Sequence, residues 1–316
     1  METIELVRLP VQGGSETQIV LRHRAPPGPS TLPPVLLVHG ATFGSALFDL
    51  PRLGYSLMAA LAERRFVYAL DARGYGLSLG GGVMDAPPEQ HPPFATVDEV
   101  CRDIAAAVSF ILDRHGADAL DLVGFSWGTI TASRFASANA DKVARLALYA
   151  PLYKEVRPLW RGSVPSEAYR RIRLSDVISR WDADLPSADA AVYREPDIAK
   201  LLFETVAALD PQSGSCAPAA FRCPNGALAD LAQVAQGRPL FEPKLLTMPV
   251  LLIRGEDDVT ATDADARRLL ALLPSRDKRY CVVKKGSHFL CVERGRGVLY
   301  GELNAFLGRQ ETRSVA

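Results

Sequence analysis

The pentapeptide Gly124-Phe125-Ser126-Trp127-Gly128 sets a serine between two glycines. An apolar run over 120–125 precedes it, and helical spacing over 127–138 follows. In a sharp strand-to-helix turn, a Cβ at either glycine would collide with the neighbouring strand and helix. The turn puts Ser126 at a helix N-terminus, whose partial positive charge favours negative charge developing nearby. A serine held in this way is suited to attack a carbonyl carbon. A bare G-x-S-x-G is a weak signal, and nucleophilic catalysis also needs a base, an acid and donors for the oxyanion.

Three other segments supply candidates. "GEDDVT" (255–260) ends a buried run, and a carboxylate there can fix the tautomer of an imidazole and stabilise its protonated form. Asp257 and Asp258 compete for that role. "GSHFL" (286–290) ends the last apolar run, and His288 can act as general base and then general acid. The order serine, acid, histidine is the one expected where three strand ends converge. "VHGATFG" (38–44) follows the first buried run. Attack by Ser126 builds an oxyanion that needs two backbone N–H donors. Trp127 offers one and Ala41 the other. Thr42 is an accessory hydroxyl, Phe43 a neighbouring apolar wall, and His39 a brace for the loop.

The elements that must position these groups follow from hydrophobic spacing. Residues 4–9 and 17–24 alternate as two half-buried antiparallel strands. The runs 35–40, 66–78 with its glycine-rich exit, 120–125, 143–149, 249–258 and 279–284 read as buried strands. Helical spacing appears over 45–64, 96–116, 127–138, 263–273 and 293–308, with Thr96 and Glu99 forming a capping box and Gly116 a stop. Strand and helix in alternation predict a mostly parallel sheet with helices on both faces. Residues 152–243 break the rhythm and read as a mostly helical insertion. The expected organisation is a core of 1–151 and 244–316 with a cap of 152–243.

A length of 316 residues fits one large domain with an insertion, and 48% hydrophobic with 23% charged residues is ordinary for a buried core. Zero formal net charge gives no electrostatic case for nucleic acid or an anionic membrane. No stretch is long and apolar enough to span a bilayer. The opening "METIELVRLP" does not read as a secretory signal, so a cytoplasmic protein is expected. Five cysteines without CxxC spacing argue against a zinc site. Cys216 and Cys223 are close enough in sequence to bridge, and reduced thiols are the expectation for that compartment.

The segments "LLVHGATFGS", "VYALDARGYGLS", "LVGFSWGT", "PVLLIRGEDD" and "KGSHFL", in that order, resemble the α/β-hydrolase superfamily. The resemblance implies Ser126 as nucleophile, His288 as base and Asp258 as acid, because family members carry G-x-x-D where this chain has Gly255 to Asp258. It also implies a helical cap at 152–243 and a structural turn at Asp71, Arg73 and Gly74. No metal or organic cofactor is required. A serine nucleophile excludes the dehalogenase and epoxide hydrolase branches, which use aspartate. Trp127 is similar to the G-x-S-W-G of proline iminopeptidases, but those carry HGGPG where this chain reads "HGATFG".

The expected activity is therefore hydrolysis of a small-molecule carboxylic ester or lactone. The alternatives are an aminopeptidase, an acyltransferase with the same residues, or a non-catalytic binding member. Aromatic residues of the insertion, Trp160 and Trp181 among them, predict a medium-to-large, partly apolar substrate. Seven cations face three acids between Lys154 and Arg180, a pattern read as a solvated face in preference to an anion site.

Overall fold

A run that is apolar at every position has no face to give to water, so it must be covered on both sides. The computed structural model, which describes residues 5–10, 18–78, 82–154, 165–183, 185–186 and 190–309, gathers these runs into one sheet. Its strands are β1 (Glu5–Pro10), β2 (Gln18–Arg24), β3 (Val35–Val38), β4 (Val67–Asp71), β5 (Leu120–Phe125), β6 (Val143–Tyr149), β9 (Val250–Gly255) and β10 (Lys278–Val283). They lie in the order β1-β2-β4-β3-β5-β6-β9-β10. β1, β2 and β4 pair antiparallel, and the remaining pairs are parallel.

Helices α1 (Leu57–Ala62), α2 (Val97–His115), α3 (Trp127–Ala138), α7 (Asp263–Leu272) and α8 (Arg296–Leu307) cover the sheet, α1 packing with α8 and α2 with α3. The chain leaves β3 toward β4 on one side and returns to β5 on the other. Val38 and Gly124 are thus neighbours at a reversal of strand order, where ligands of open α/β sheets bind. The acid on central β5 is neutralised from both flanks: Asp121 accepts from Arg65 at 2.5 Å and from Arg145 at 3.3 Å.

Two expectations are corrected. The helix expected over 45–64 is only Leu57–Ala62. Before it come a 3₁₀ turn at Ser45–Phe48 and an antiparallel bridge between Asp49 and Ser56. Pro51 and Gly54, the latter at φ +76°, break the helical run, and Leu53 is 99% exposed although it fits the apolar spacing. The second correction concerns 152–243. It holds helices α4 (Leu174–Asp182), α5 (Ile198–Ala207) and α6 (Gly226–Ala235), but also an antiparallel ribbon of β7 (Tyr169–Arg173) and β8 (Ala220–Pro224). Charge hides this ribbon in the sequence. Arg222 is buried in β8 because Asp210 binds it through two contacts at 3.2 Å and one at 2.7 Å.

All five cysteines are free. Among the described residues, no helix is long and apolar enough to cross a membrane, and no group of three or more His, Cys, Asp or Glu could hold a metal ion.

Candidate active site

The turn from β5 to α3 requires both of its glycines. A Cβ on Gly124 would lie 2.4 Å from the Gly128 carbonyl oxygen, and one on Gly128 would lie 2.4 Å from the His39 oxygen. Ser126 between them adopts φ +56°, a left-handed value that costs energy for a residue with a side chain. Its N–H donates to the Tyr149 carbonyl at 2.9 Å, which holds the turn against β6.

Glycines also set the approach of the acid and the histidine. A Cβ on Gly255 would meet the Gly286 oxygen at 2.1 Å, so the loops after β9 and β10 touch backbone to backbone. Asp257 N–H donates to the Gly286 carbonyl at 2.9 Å. Beyond this contact, Asp258 Oδ2 lies 2.9 Å from His288 Nδ1, and His288 Nε2 lies 2.8 Å from Ser126 Oγ. Asp258 Oδ1 accepts from the N–H groups of Thr260 and Ala261, both at 2.8 Å. Burial opposes ionisation of Asp258, but His288, the Ala261 amide and Arg254 outweigh it and hold the pKa below the usual carboxylate value. An ionised Asp258 accepts from Nδ1–H, which leaves Nε2 to accept from the serine hydroxyl. Asp257 is turned elsewhere and accepts from the Tyr193 hydroxyl at 2.9 Å. Tyr149 fixes the histidine backbone by donating to the His288 carbonyl at 2.9 Å.

The loop after β3 lies alongside. A Cβ on Gly40 would stand 3.1 Å from Ser126 Cβ. His39 is fully buried, and its Nε2 accepts from Ala72 N–H at 3.2 Å. The proton therefore sits on Nδ1, which donates to the Gly40 carbonyl at 2.7 Å. Burial lowers the pKa of His39, against the raising effects of the Gly40 bond and Asp71, and so favours this neutral form. In a trans peptide the C=O and N–H point opposite ways, so fixing the Gly40 oxygen fixes the direction of the Ala41 N–H. The next carbonyl, that of Ala41, accepts from Arg170 Nη2 at 3.0 Å, the Tyr75 hydroxyl at 3.2 Å and the Cys223 thiol at 3.2 Å. Two of these three donors belong to the ribbon β7–β8.

Ser126 and His288 open into a cavity of about 250 Å³ that Ala41, Thr42 and Phe43 also line. That volume lies just under the roughly 300–1,000 Å³ usual for drug-sized ligands. Trp181, expected at the substrate, is not on the cavity wall. It is fully buried, donates its indole N–H to Glu293 at 2.7 Å and packs on Phe289 with ring centroids 4.8 Å apart. Trp160 lies outside the described residues. The Trp127 side chain is also turned from the cavity, and its indole N–H donates to Asp230 on α6 at 2.9 Å.

Sequence reasoning missed Arg170 and Arg180 as cavity residues. The signal was available in "YRRIR", where a strand's period of two puts Arg170 and Ile172 on one face and Arg171 and Arg173 on the other. Both Arg170 and Ile172 line the cavity, while Arg171 and Arg173 are exposed.

Comparison with known proteins agrees with this architecture. The family model for the alpha/beta hydrolase fold matches residues 33–295, and the chain belongs to that family. Among solved structures, a thermophilic esterase from Thermogutta terrifontis is 18% identical, with a TM-score of 0.61 over 96% of this chain and 98% of that one. The enol-lactonase from Burkholderia xenovorans is 19% identical, with a TM-score of 0.64 over 96% and 100%. E-2-(acetamidomethylene)succinate hydrolase is 20% identical, with a TM-score of 0.63 over 97% and 100%. At these identities the likeness is one of fold. Comparison with curated protein sequences gives no match.

Proposed function

We propose that the protein is a serine hydrolase that cleaves a carboxylic ester or lactone through an acyl-enzyme on Ser126. The observation that carries this reading is the unbroken row of hydrogen bonds from Asp258 through His288 to Ser126, the last two lining a cavity. His288 Nε2 takes the Ser126 proton as Oγ attacks the carbonyl carbon, and Asp258 stabilises the imidazolium that forms. The N–H groups of Ala41 and Trp127 hold the oxyanion. The tetrahedral intermediate collapses, His288 returns the proton to the leaving alkoxide, and the acyl group remains on Ser126. Water then gives a proton to His288 and attacks the acyl-enzyme ester, and the acid is released as His288 returns that proton to Ser126 Oγ.

In this reading residues 152–243 act as a cap, because Arg170, Ile172, Val177, Arg180, Leu228 and Leu231 line the same cavity as Ser126 and His288. The likeness to proline iminopeptidases rests on Trp127, whose indole faces Asp230, so the side chain gives no support to an aminopeptidase. The test is labelling with a fluorophosphonate, followed by turnover of a panel of esters, lactones and aminoacyl amides. Labelling that vanishes in Ser126→Ala, with esters or lactones consumed, is the expected result. Folded protein that resists the probe overturns the covalent mechanism, and preference for aminoacyl amides overturns the ester assignment.

A further inference from the structure

We propose that the ribbon β7–β8 holds the oxyanion loop in its working shape, with Arg170 and Cys223 as positioning residues that act through the Ala41 carbonyl; this rests on the serine hydrolase reading above. Arg170 and Cys223 are directly opposite each other in the ribbon. Side chains of such a pair leave the same face. Both converge on one atom: Arg170 Nη2 donates to the Ala41 carbonyl at 3.0 Å and the Cys223 thiol donates to it at 3.2 Å. The Tyr75 hydroxyl donates to the same oxygen at 3.2 Å from the core side. A carbonyl oxygen has two lone pairs, so three donors exceed what satisfying a buried acceptor requires. Two of the three come from positions 129 and 182 residues further along the chain.

Ala41 stands between two peptide planes. The plane before it is held at the Gly40 carbonyl by His39. The plane after it is held at the Ala41 carbonyl by the ribbon and Tyr75. Planar peptides leave only φ and ψ free at Ala41, so two anchored carbonyls fix the place and direction of its N–H. Arg170 is itself braced as a strut. Its Nη2 also donates to Thr42 Oγ1 at 3.4 Å, and its Nη1 donates to the Pro224 carbonyl at 2.7 Å and to Asn225 Oδ1 at 3.1 Å. Asn225 in turn donates from Nδ2 to the Glu167 carbonyl at 3.0 Å. Burial raises the pKa of the Cys223 thiol, against the lowering effects of Arg170 and Tyr75, so the sulfur keeps the proton it donates. The ribbon has little room to slide. A Cβ on Gly226, two residues past β8, would meet the Phe94 carbonyl oxygen at 2.3 Å, and one on Gly74 would meet Pro224 Cγ at 2.7 Å. The end of β8 is therefore seated tightly on the core, and Arg170 and Cys223 take their positions from it. Cys223 is fully buried and does not line the cavity, so its influence on the reaction passes through Ala41.

The test reads catalysis and the loop separately. With 4-nitrophenyl butyrate as substrate, Cys223→Ala should lower kcat about threefold to tenfold, and Cys223→Ser, which keeps a donor, should recover most of that loss. KM should stay within about twofold in both, because the side chain is remote from the substrate. Arg170→Met should lower kcat about tenfold or more, since it removes a charge-assisted donor. Inhibition by 1,1,1-trifluorohexan-2-one, whose adduct with Ser126 carries the oxyanion, should weaken in proportion to kcat/KM across these variants, which a loss of stability alone would not produce. Hydrogen exchange over residues 39–44, followed by mass spectrometry on folded protein, should be faster in Cys223→Ala and Arg170→Met than in the parent. Where Arg170→Met fails to fold, the Cys223 pair carries the test. Unchanged exchange over 39–44, faster exchange with kcat unaltered, or equal kcat in Cys223→Ala and Cys223→Ser overturns the proposal. A rise in KM at constant kcat in Arg170→Met also overturns it, by making Arg170 a substrate contact. If the parent hydrolyses no ester or lactone yet exchange quickens in the variants, the hydrolase reading falls and the hold of the ribbon on the loop stands.

Discussion

The indole N–H of Trp127, the residue after the serine, donates to the carboxylate of Asp230 at 2.9 Å across 103 positions of sequence. The same Oδ2 accepts from Val97 N–H at 2.7 Å, so one buried acid ties α6 to the starts of α2 and α3. Burial raises its pKa to about 7, assisted by Asp98 and Glu99 and opposed by its two donors. A carboxyl whose folded pKa lies above its unfolded 3.8 binds its proton more tightly in the folded state. The stability it contributes is whole below about pH 4 and lost as pH rises through about 7.

Asp230→Asn should remove that slope. Both donors point at Oδ2, so an amide oxygen can replace it while the amide nitrogen takes the place of the protonated oxygen. Thermal unfolding from pH 4 to 8 is expected to show the parent losing stability relative to the variant, by a few kcal/mol at most. The difference should level off above pH 8. Parallel curves for the two proteins would refute the assignment.

The contact between Gly255 and Gly286 leads to a second prediction. A Cβ at Gly255 would meet backbone atoms at 2.1 and 2.4 Å, which cannot swing aside as a flexible side chain can. Gly255→Ala should cost about 1–3 kcal/mol in chemical denaturation, as overpacking does. Its kcat should fall even where the protein is fully folded, because Asp258 and His288 stand on the two loops pushed apart. Gly301→Ala is the opposite case. Nothing lies within 4 Å of the position, and it sits within α8, so a gain of about 0.5–1 kcal/mol is expected from helix propensity. Equal stability for both variants and the parent would contradict the steric argument.

These relationships show what could be read from the sequence. Gly124, Ser126, Gly255, Gly286 and His288 stand at ends of apolar runs, so patterning alone brought them to one sheet edge. Asp257 and Asp258 were not separable by pattern, since both follow the same strand, and family spacing favoured the one that faces His288. The ribbon β7–β8 was hidden because a strand carrying Arg170, Arg171 and Arg173 does not look buried, and Ala41, the partner of Arg170, is 129 positions away. Trp181 misled for a related reason. Its indole is satisfied by Glu293, an acid 112 positions away, and nothing local announces that partner.

His39 gives a prediction on the split between kcat and KM. Its Nδ1–H holds the Gly40 carbonyl and thereby the direction of the Ala41 N–H, while its ring is fully buried. In the proposed mechanism the Ala41 N–H holds the oxyanion, so the loop matters more to the transition state than to the ground state. His39→Ala should lower kcat by about tenfold to a hundredfold, less than deleting an oxyanion donor outright, with KM little changed. Weaker inhibition by a trifluoromethyl ketone should accompany the loss. A rise in KM at constant kcat would place His39 in substrate binding and defeat this account.

Asp258 and Asp257 differ in a way that substitution by asparagine exposes. In Asp258→Asn, the N–H groups of Thr260 and Ala261 still require an acceptor where Oδ1 now stands. The new amide must therefore turn its NH₂ toward His288 Nδ1. A donor there makes Nδ1 an acceptor and moves the ring proton to Nε2, which then cannot accept from Ser126. The fold survives, but the histidine is in the wrong tautomer for a base. A fall of about 10³–10⁴ in kcat is expected, with the melting temperature changed far less. Asp257→Asn keeps an oxygen for the Tyr193 hydroxyl and touches neither His288 nor Ser126, so its kcat should stay within about twofold. Raising the pH should partly restore Asp258→Asn, since hydroxide in solution can take the serine proton that the imidazole no longer accepts. If both variants lose activity alike, or if Asp258→Asn stays within tenfold of the parent, the orientation imposed by the two amides does not govern the histidine.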